Sequence, residues 1–354
     1  LYSSAASDVY KRQLSRRSLL GLTALTAAGA LSACGSEKKP PKVDPGPKLA
    51  SPTPELTGTK LGEILTQYAS TLEKADAEKN ADLLAPRISG SAAEFRRATY
   101  DIIAKVPEHE SALQRPSDNL VVPISSTSEG FPRYALALVD DTSNAGEARF
   151  FVGLEQKDAR SDYTSWGWAR QAAGIEMPTV PSAEAGTKQV DIEEQGLVLT
   201  PKETLAKYAA VLTDGHDNAD PDDLILEDPF QQSAHAEIQG ERAQMNEGGD
   251  WDEVASVREE YAVKDGEFLG LATAEGGAVI MGTLTSTRRV SVNSGSISYA
   301  EDNLYTKLAG TKKFEKELVR TYGTTVLVHI PAADSGAKVQ PIGAYKVLLS
   351  VSGS

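Results

Sequence analysis

"PKETLAKYAAVLTDGHDNADPDDLIL", residues 201–226, reads as a helix, a polar joint and the approach to a second helix. Thr200, Pro201 and Glu203 form a start signal: a hydroxyl cap, a proline at the first helical position and a glutamate at the third. Leu205, Tyr208, Val211 and Leu212 recur at helical spacing and mark one apolar face. A similar passage lies 140 residues earlier, in "LGEILTQYASTLEKADAEKNADLLAP", residues 61–86. At that offset Leu65, Tyr68, Ala69 and Leu72 fall on Leu205, Tyr208, Ala209 and Leu212, while Asp82 and Leu84 fall on Asp222 and Leu224. Any two amphipathic helices share part of such a pattern. The segments after the two helices are also alike, so a tandem duplication is expected.

Each opening helix precedes a second helical stretch, roughly 92–105 in one half and 233–246 in the other. Short β-rich runs come next. The first half has "LVVPIS", "RYALALVDD", "ARFFVGLEQ" and "YTSWGWARQ". The second has "VREEYAVK", "EFLGLATA", "GAVIMGTLTS", "TTVLVHIPAA" and "AYKVLLSVS". Asp265-Gly266 and Glu275-Gly276-Gly277 read as hairpin turns. Consecutive strands with short connections favour antiparallel pairing, and helices followed by such a sheet give an α+β class with the helices on one sheet face. The expected organisation is a leader over 1–33, a Pro-rich tether over 34–59, and α+β units over 60–195 and 196–354.

Element order, helix length and unit size resemble the NTF2-like, cystatin-type fold, present twice. With Ala-Asp-Leu-Leu-Ala-Pro at 81–86 and Leu31-Ser32-Ala33-Cys34 near the start, a run similar to a bacterial lipobox, the chain resembles a group of actinobacterial surface lipoproteins of unknown function. NTF2-like folds host enzymes, carriers and assembly domains, so the resemblance implies a fold and no particular chemistry.

The leader "SRRSLLGLTALTAAGALSACG", residues 15–35, has a positive head, an apolar centre and small residues before Cys34. The centre, about 13 residues, is shorter than the roughly 20 that a spanning helix needs. Leu31, Ser32, Ala33 and Cys34 resemble the lipobox of bacterial lipoproteins. That resemblance implies cleavage before Cys34 and a diacylglyceryl group on its sulfur. The bland alternative is an ordinary cleaved signal, but Cys34 is the sole cysteine and sits at the junction of apolar run and polar tail. Arg16 and Arg17 resemble a twin-arginine export signal, although Leu19 stands where that family prefers Phe; an ordinary Sec signal is the alternative. Residues 1–13, "LYSSAASDVYKRQ", resemble translated adaptor sequence and are set aside from fold reasoning.

The net charge is −14, and residues 1–33 hold four basic side chains and one acidic, so the remainder carries −17. Such a body lacks the basic footprint of a nucleic-acid binder. The expected location is the extracytoplasmic face of a cell membrane, with a lipid on Cys34 as the membrane contact and an envelope protein or small ligand as partner.

Candidate chemistry is sparse. The loop "DGHDNADPDD", residues 214–223, is the best metal candidate, yet Ala219 and Ile225 occupy the places where a calcium loop needs Gly and Glu. Ser335 and Lys338 read as S-x-x-K, and 117–119 as S-D-N, but the pair falls in a turn and K-T-G is missing. His109, His216, His235 and His329 are scattered without ligand spacing. Trp166 and Trp168 flank Gly167 and are expected on one strand face, where with Tyr163 they either fill the fold or line an apolar pocket. No metal, cofactor or catalytic residue is expected. The sequence favours a binding or scaffolding protein of the envelope; the alternative is a small-molecule-binding or hydrolytic enzyme with a cavity lined by Tyr163 and Trp166.

Overall fold

Thr57 and Thr200 open the two halves by the same device. In the computed structural model, which describes residues 53–128, 130–141 and 149–354, the Thr57 hydroxyl accepts the Lys60 N–H and that of Thr200 accepts the Glu203 N–H, both at 3.2 Å. The Glu203 carboxylate in turn accepts the Thr200 N–H, completing the expected capping box. Helix α1 (Gly58–Glu78) buries Leu61, Leu65, Tyr68 and Leu72, and α3 (Pro201–Asp214) buries Leu205, Tyr208, Val211 and Leu212. These are the faces the sequence marks. A 3₁₀ turn (Ala81–Leu84) follows α1, and the short α4 (His216–Ala219) follows α3. The second helices are α2 (Gly90–Lys105) and α5 (Pro229–Met245). Residues 1–52, including Arg16, Arg17, Leu31, Ser32, Ala33 and Cys34, lie outside the described residues.

Four strands complete the first half: β1 (Pro116–Ser125), β2 (Arg133–Asp141), β3 (Phe150–Gln156) and β4 (Thr164–Gln171). The second half has the long strands β5 (Ala255–Ala272) and β6 (Ala278–Val292), followed by an insertion. That insertion holds the two-residue strands β7 (Ile297–Ser298) and β8 (Lys313–Phe314) around α6 (Leu304–Ala309). Strands β9 (Glu317–Ile330) and β10 (Gln340–Gly353) follow. The eight long strands form one antiparallel sheet in the order β1-β2-β3-β4-β10-β9-β6-β5. The structure is thus mixed α+β with a large antiparallel sheet.

Both halves tie the approach to their second helix to their fourth main strand. Ser89 N–H bonds Ser165 C=O and Ser165 N–H bonds Arg87 C=O; in the second half, Leu226 N–H bonds Val339 C=O and Val339 N–H bonds Leu224 C=O. Ile88 and Ile225 sit at the centres of these parallel bridges.

The half-sheets join where Gly343 and Ala344 of β10 face Gln171 and Arg170 of β4. A Cβ at Gly343 would lie 2.7 Å from the Arg170 carbonyl oxygen, so only glycine lets the backbones close. The linker between β4 and α3 (172–200) joins the outer edges. Thr187 exchanges backbone bonds with Ser125 and Thr127 beside β1, while Lys188 and Val190 bond Ala272 and Gly270 of β5. Both sheet edges are thereby partly occupied, which limits edge-to-edge association.

Alternate strand residues face two different cores. Ala135, Ala137, Phe150 and Val152 pack under α1 with Tyr68 and Leu72. Leu136, Leu138 and Phe151 turn the other way and meet Leu269, Met281 and Leu327 of the second half. Met281 lies so close to Gly153 that a Cβ there would be 2.6 Å from its sulfur.

Two expectations are corrected. Asp265-Gly266 is not a hairpin turn: "VREEYAVK" and "EFLGLATA" are one strand, β5, whose register against β6 shifts between Val263 and Phe268. Gly266 has φ +85°, which suits a bulge as well as a turn. The bulge points Glu267 at the start of α2, where its carboxylate accepts the Ser91 N–H at 2.7 Å, and Lys264 donates to the Ser91 hydroxyl at 2.8 Å. Trp166 and Trp168 do not share a face either. The β3–β4 register shifts between Gly153 and Leu154, so Trp166 enters the core between the halves and Trp168 the core under α1.

Replacing Gly343 by alanine is expected to cost about 1–3 kcal/mol by forcing the half-sheets apart. Urea unfolding at neutral pH measures it, as a lower midpoint.

Candidate functional site

The space under each pair of helices is where a cavity is expected, and in both halves side chains occupy it. In the first half Tyr68 meets Trp168 edge to face at 6.3 Å, and the Arg96 guanidinium lies 5.4 Å from the Trp168 ring centre. Asp76, buried on α1, accepts the Tyr100 hydroxyl at 2.6 Å and pairs with Arg96 at 3.2 Å. Tyr163 is 7% exposed and belongs to the same core, while also bordering a surface cleft of about 400 Å³ with Glu55, Arg87 and Arg133. Of the three aromatics read as fill or lining, Tyr163 and Trp168 share one core and Trp166 lies in another.

The second half packs Leu205, Tyr208 and Leu212 of α3 against Ile280, Leu284 and Val326, and places a charged group on the strands beneath α5. Alternating strand residues carry it: Glu259 and Tyr261 on β5, Ser286 and Arg288 on β6, Arg320 and Tyr322 on β9. Glu259 faces Arg288 in register, and Arg288 faces Arg320. One Glu259 oxygen accepts Ser286 and Lys346, each at 2.6 Å, and the other accepts Arg288 at 2.7 Å. Arg320 donates to both oxygens of Glu241 on α5, at 2.6 and 2.7 Å, and Glu237 receives Arg288 at 3.0 Å. Tyr322 lies 4.3 Å under Lys346, and Tyr305 of α6 4.6 Å under Arg320. Three cations thus meet the buried Glu259, the mostly buried Glu241 and, at the surface, Glu237, an arrangement stable only when the buried charges are matched.

Burial works to raise the Glu259 pKa, but Lys346 and Arg288 together outweigh it and hold the carboxyl down at about 2. A depressed carboxyl stabilises the fold above its unfolded value, and that contribution fades as pH falls from about 4.5 towards 2. Asp228 moves the other way: burial raises it, against the Tyr208 hydroxyl and the Phe230 and Gln231 amides that bond it. Its oxygens serve as the cap of α5, with Tyr208 at 2.8 Å on one and Phe230 N–H at 2.9 Å on the other.

The acidic loop brings His216, Asp220 and Asp223 together, with ligand atoms within 4.8 Å of one another. Their oxygens are already engaged. Asp220 accepts the Ile225 N–H at 2.7 Å and Lys207 at 3.1 Å, and Asp223 pairs with Lys338. Two ammonium groups therefore stand where a cation would bring its charge, and the cluster reads as a bonded turn. Lys338 is thereby drawn away from Ser335, whose hydroxyl donates to Ala332 C=O at 2.7 Å. Ser117 accepts the Asn119 N–H at 3.0 Å within β1. The histidines lie on separate elements: His109 in a 3₁₀ turn (Pro107–Ala112), His216 on α4, His235 on α5 and His329 on β9.

Open space lies at the seam instead. A cleft of about 560 Å³ separates the linker from the β5 bulge, with Tyr134, Val190, Ile192, Val263 and Phe268 on its walls and Lys188 at its rim. Its volume is in the range of small-ligand sites, roughly 300–1,000 Å³. No sequence motif points to it, because its walls come from three segments far apart in the chain.

A family model described as "Domain of unknown function (DUF8094)" matches residues 52–350, and the chain belongs to that family. No curated protein and no solved structure matches the chain. Among the described residues, no helix is long and apolar enough to cross a membrane.

Replacing Glu259 by glutamine is expected to cost about 3–5 kcal/mol at pH 7, because Lys346 and Arg288 would stay buried without their shared anion. Urea unfolding from pH 7 to pH 3 tests the assignment. The gap between the variant and the wild type is expected to shrink as pH falls, since the wild type alone loses the Glu259 contribution.

Proposed function

We propose that this is a lipid-anchored protein of the bacterial cell envelope, built of two NTF2-like units, that binds a ligand or partner. The anchor reading rests on Leu31-Ser32-Ala33-Cys34 at the end of a short apolar run, followed by a proline-rich stretch that would hold the body off the bilayer. Two acyl chains on one residue would give durable attachment, since each buried methylene contributes about 0.8 kcal/mol. The paired-unit reading is supported by the repeated order of helix, turn, helix and four main strands, and by the matching bridges at Ile88 and Ile225.

The observation that carries the binding reading is the distribution of space. Apolar and aromatic side chains fill the space under α1 and α3, and a matched ionic group that beneath α5, whereas the seam beside the linker holds a cleft of about 560 Å³. A catalytic use of the interior has less support, because the carboxylates of Glu259 and Asp228 are taken up by neighbouring donors.

Two measurements test the proposal. Cell fractionation is expected to find the wild type with membranes and Cys34→Ala in the soluble fraction; equal partitioning defeats the anchor. For the seam, a thermal-shift screen of lipids and small apolar acids is expected to yield compounds that raise the midpoint of the wild type and leave Ile192→Trp unmoved. Equal shifts for both proteins remove the cleft from the account.

A further inference from the structure

Trp251 is 54% exposed, the most solvent-facing large apolar residue among the described ones. It lies in the loop between α5 and β5 and is held there by a small apparatus. The Arg242 guanidinium stacks 4.6 Å from its ring centre, and Asp252 grips Arg242 with both carboxylate oxygens. Asp252 has φ +63°, a left-handed conformation that a non-glycine residue adopts at a cost of order 1 kcal/mol. The ring thus stands in water with the Arg242 guanidinium against it.

Beside this stack is a cleft of about 470 Å³, lined by Asp214, His235, Gln239, Arg242, Asp252 and Arg258. Its walls are mostly planar and polar. Arg258 bonds Asp214 and Glu260, each at 3.0 Å, so the charges on the walls are largely neutralised in pairs. His235 Nε2 lies 3.2 Å from the Leu212 carbonyl and so donates its proton there. The side chain of Gln239 has no protein partner among the described residues.

We propose that this cleft and the face of Trp251 bind an uncharged saccharide. A pyranose ring is a disc with C–H bonds on its faces and hydroxyls around its rim. The faces suit an indole, and the rim suits amide, carboxylate and guanidinium groups, each able to engage two neighbouring hydroxyls. The Arg242–Asp252 pair is ordered in advance, which reduces the entropy lost on binding. A membrane surface fits less well: Glu247, Asp250, Asp252 and Glu253 flank the tryptophan in the sequence, and an anionic bilayer repels them. The inference stands apart from the seam cleft, which shares none of these residues.

Titration of the full-length protein in detergent with chitotetraose and with maltotetraose, followed by calorimetry and indole fluorescence, tests the assignment. One or both is expected to bind saturably at micromolar to millimolar concentration. Trp251→Ala is expected to weaken that binding at least about tenfold while leaving the thermal midpoint in place. Gln239→Ala, an exposed change on α5, is expected to weaken it as well. Absence of saturable binding by either oligosaccharide, or equal binding by Trp251→Ala, overturns the proposal. So does Trp251-dependent adsorption to phosphatidylglycerol vesicles without oligosaccharide binding.

Discussion

The meeting of β4 with β10 is the constraint on which the rest of the molecule depends. Only Gly343 and Ala344 pair with Gln171 and Arg170, so the direct join is short. Backbone bonds there would be weak alone. They are held by the apolar layer in which Leu136, Leu138 and Phe151 meet Leu269, Met281 and Leu327, and by the linker bonded to Ser125 and Thr127 on one side and to Gly270 and Ala272 on the other. Burying each of those large side chains contributes about 1.5–3 kcal/mol. The β5 bulge adds a polar clasp, with Glu267 and Lys264 on the start of α2.

That arrangement explains the placement of charge. The inner parts of β5, β6 and β9 lie against the other half and must be apolar. Their outer parts, where Glu259, Arg288 and Arg320 are found, pack against α5, the 297–314 segment and the end of α2. An ionic interior does not by itself raise stability over an apolar one, but it penalises every misregister that separates a charge from its partner. Strands of 14 to 18 residues gain from such a lock, because a slip of one position would turn every side chain to the wrong face.

Much of the architecture was legible in the sequence. Helix starts were visible because caps are local: Thr200 and Glu203 need only each other. Strand positions were visible as apolar runs. "RYALALVDD" and "ARFFVGLEQ" are apolar at consecutive positions rather than alternate ones, a sign that both faces are covered, and that sign was there to be read. The ionic core left a trace as well. Glu259 falls in phase with Val257 and Tyr261, and Arg320 with Leu318 and Tyr322, so charged residues occupy the inward register of otherwise apolar strands. Bulges stayed hidden. Gly266 with φ +85° fits a turn or a bulge equally, and only the partner strand decides; the same holds for the extra residue that sends Trp166 and Trp168 to opposite faces. The cleft beside the linker was invisible for a similar reason, being a product of assembly.

Carrying both halves on one chain frees each from repeating the other. A homodimer with a two-fold axis repeats each side chain at the symmetry-related place, so any change at its interface or interior is made twice. Here Tyr68 packs on Trp168 in one half, and Arg288 binds Glu259 in the other. In one chain each half is free to differ: the 297–314 segment follows β6 in the second half, where its α6 sets Tyr305 under Arg320.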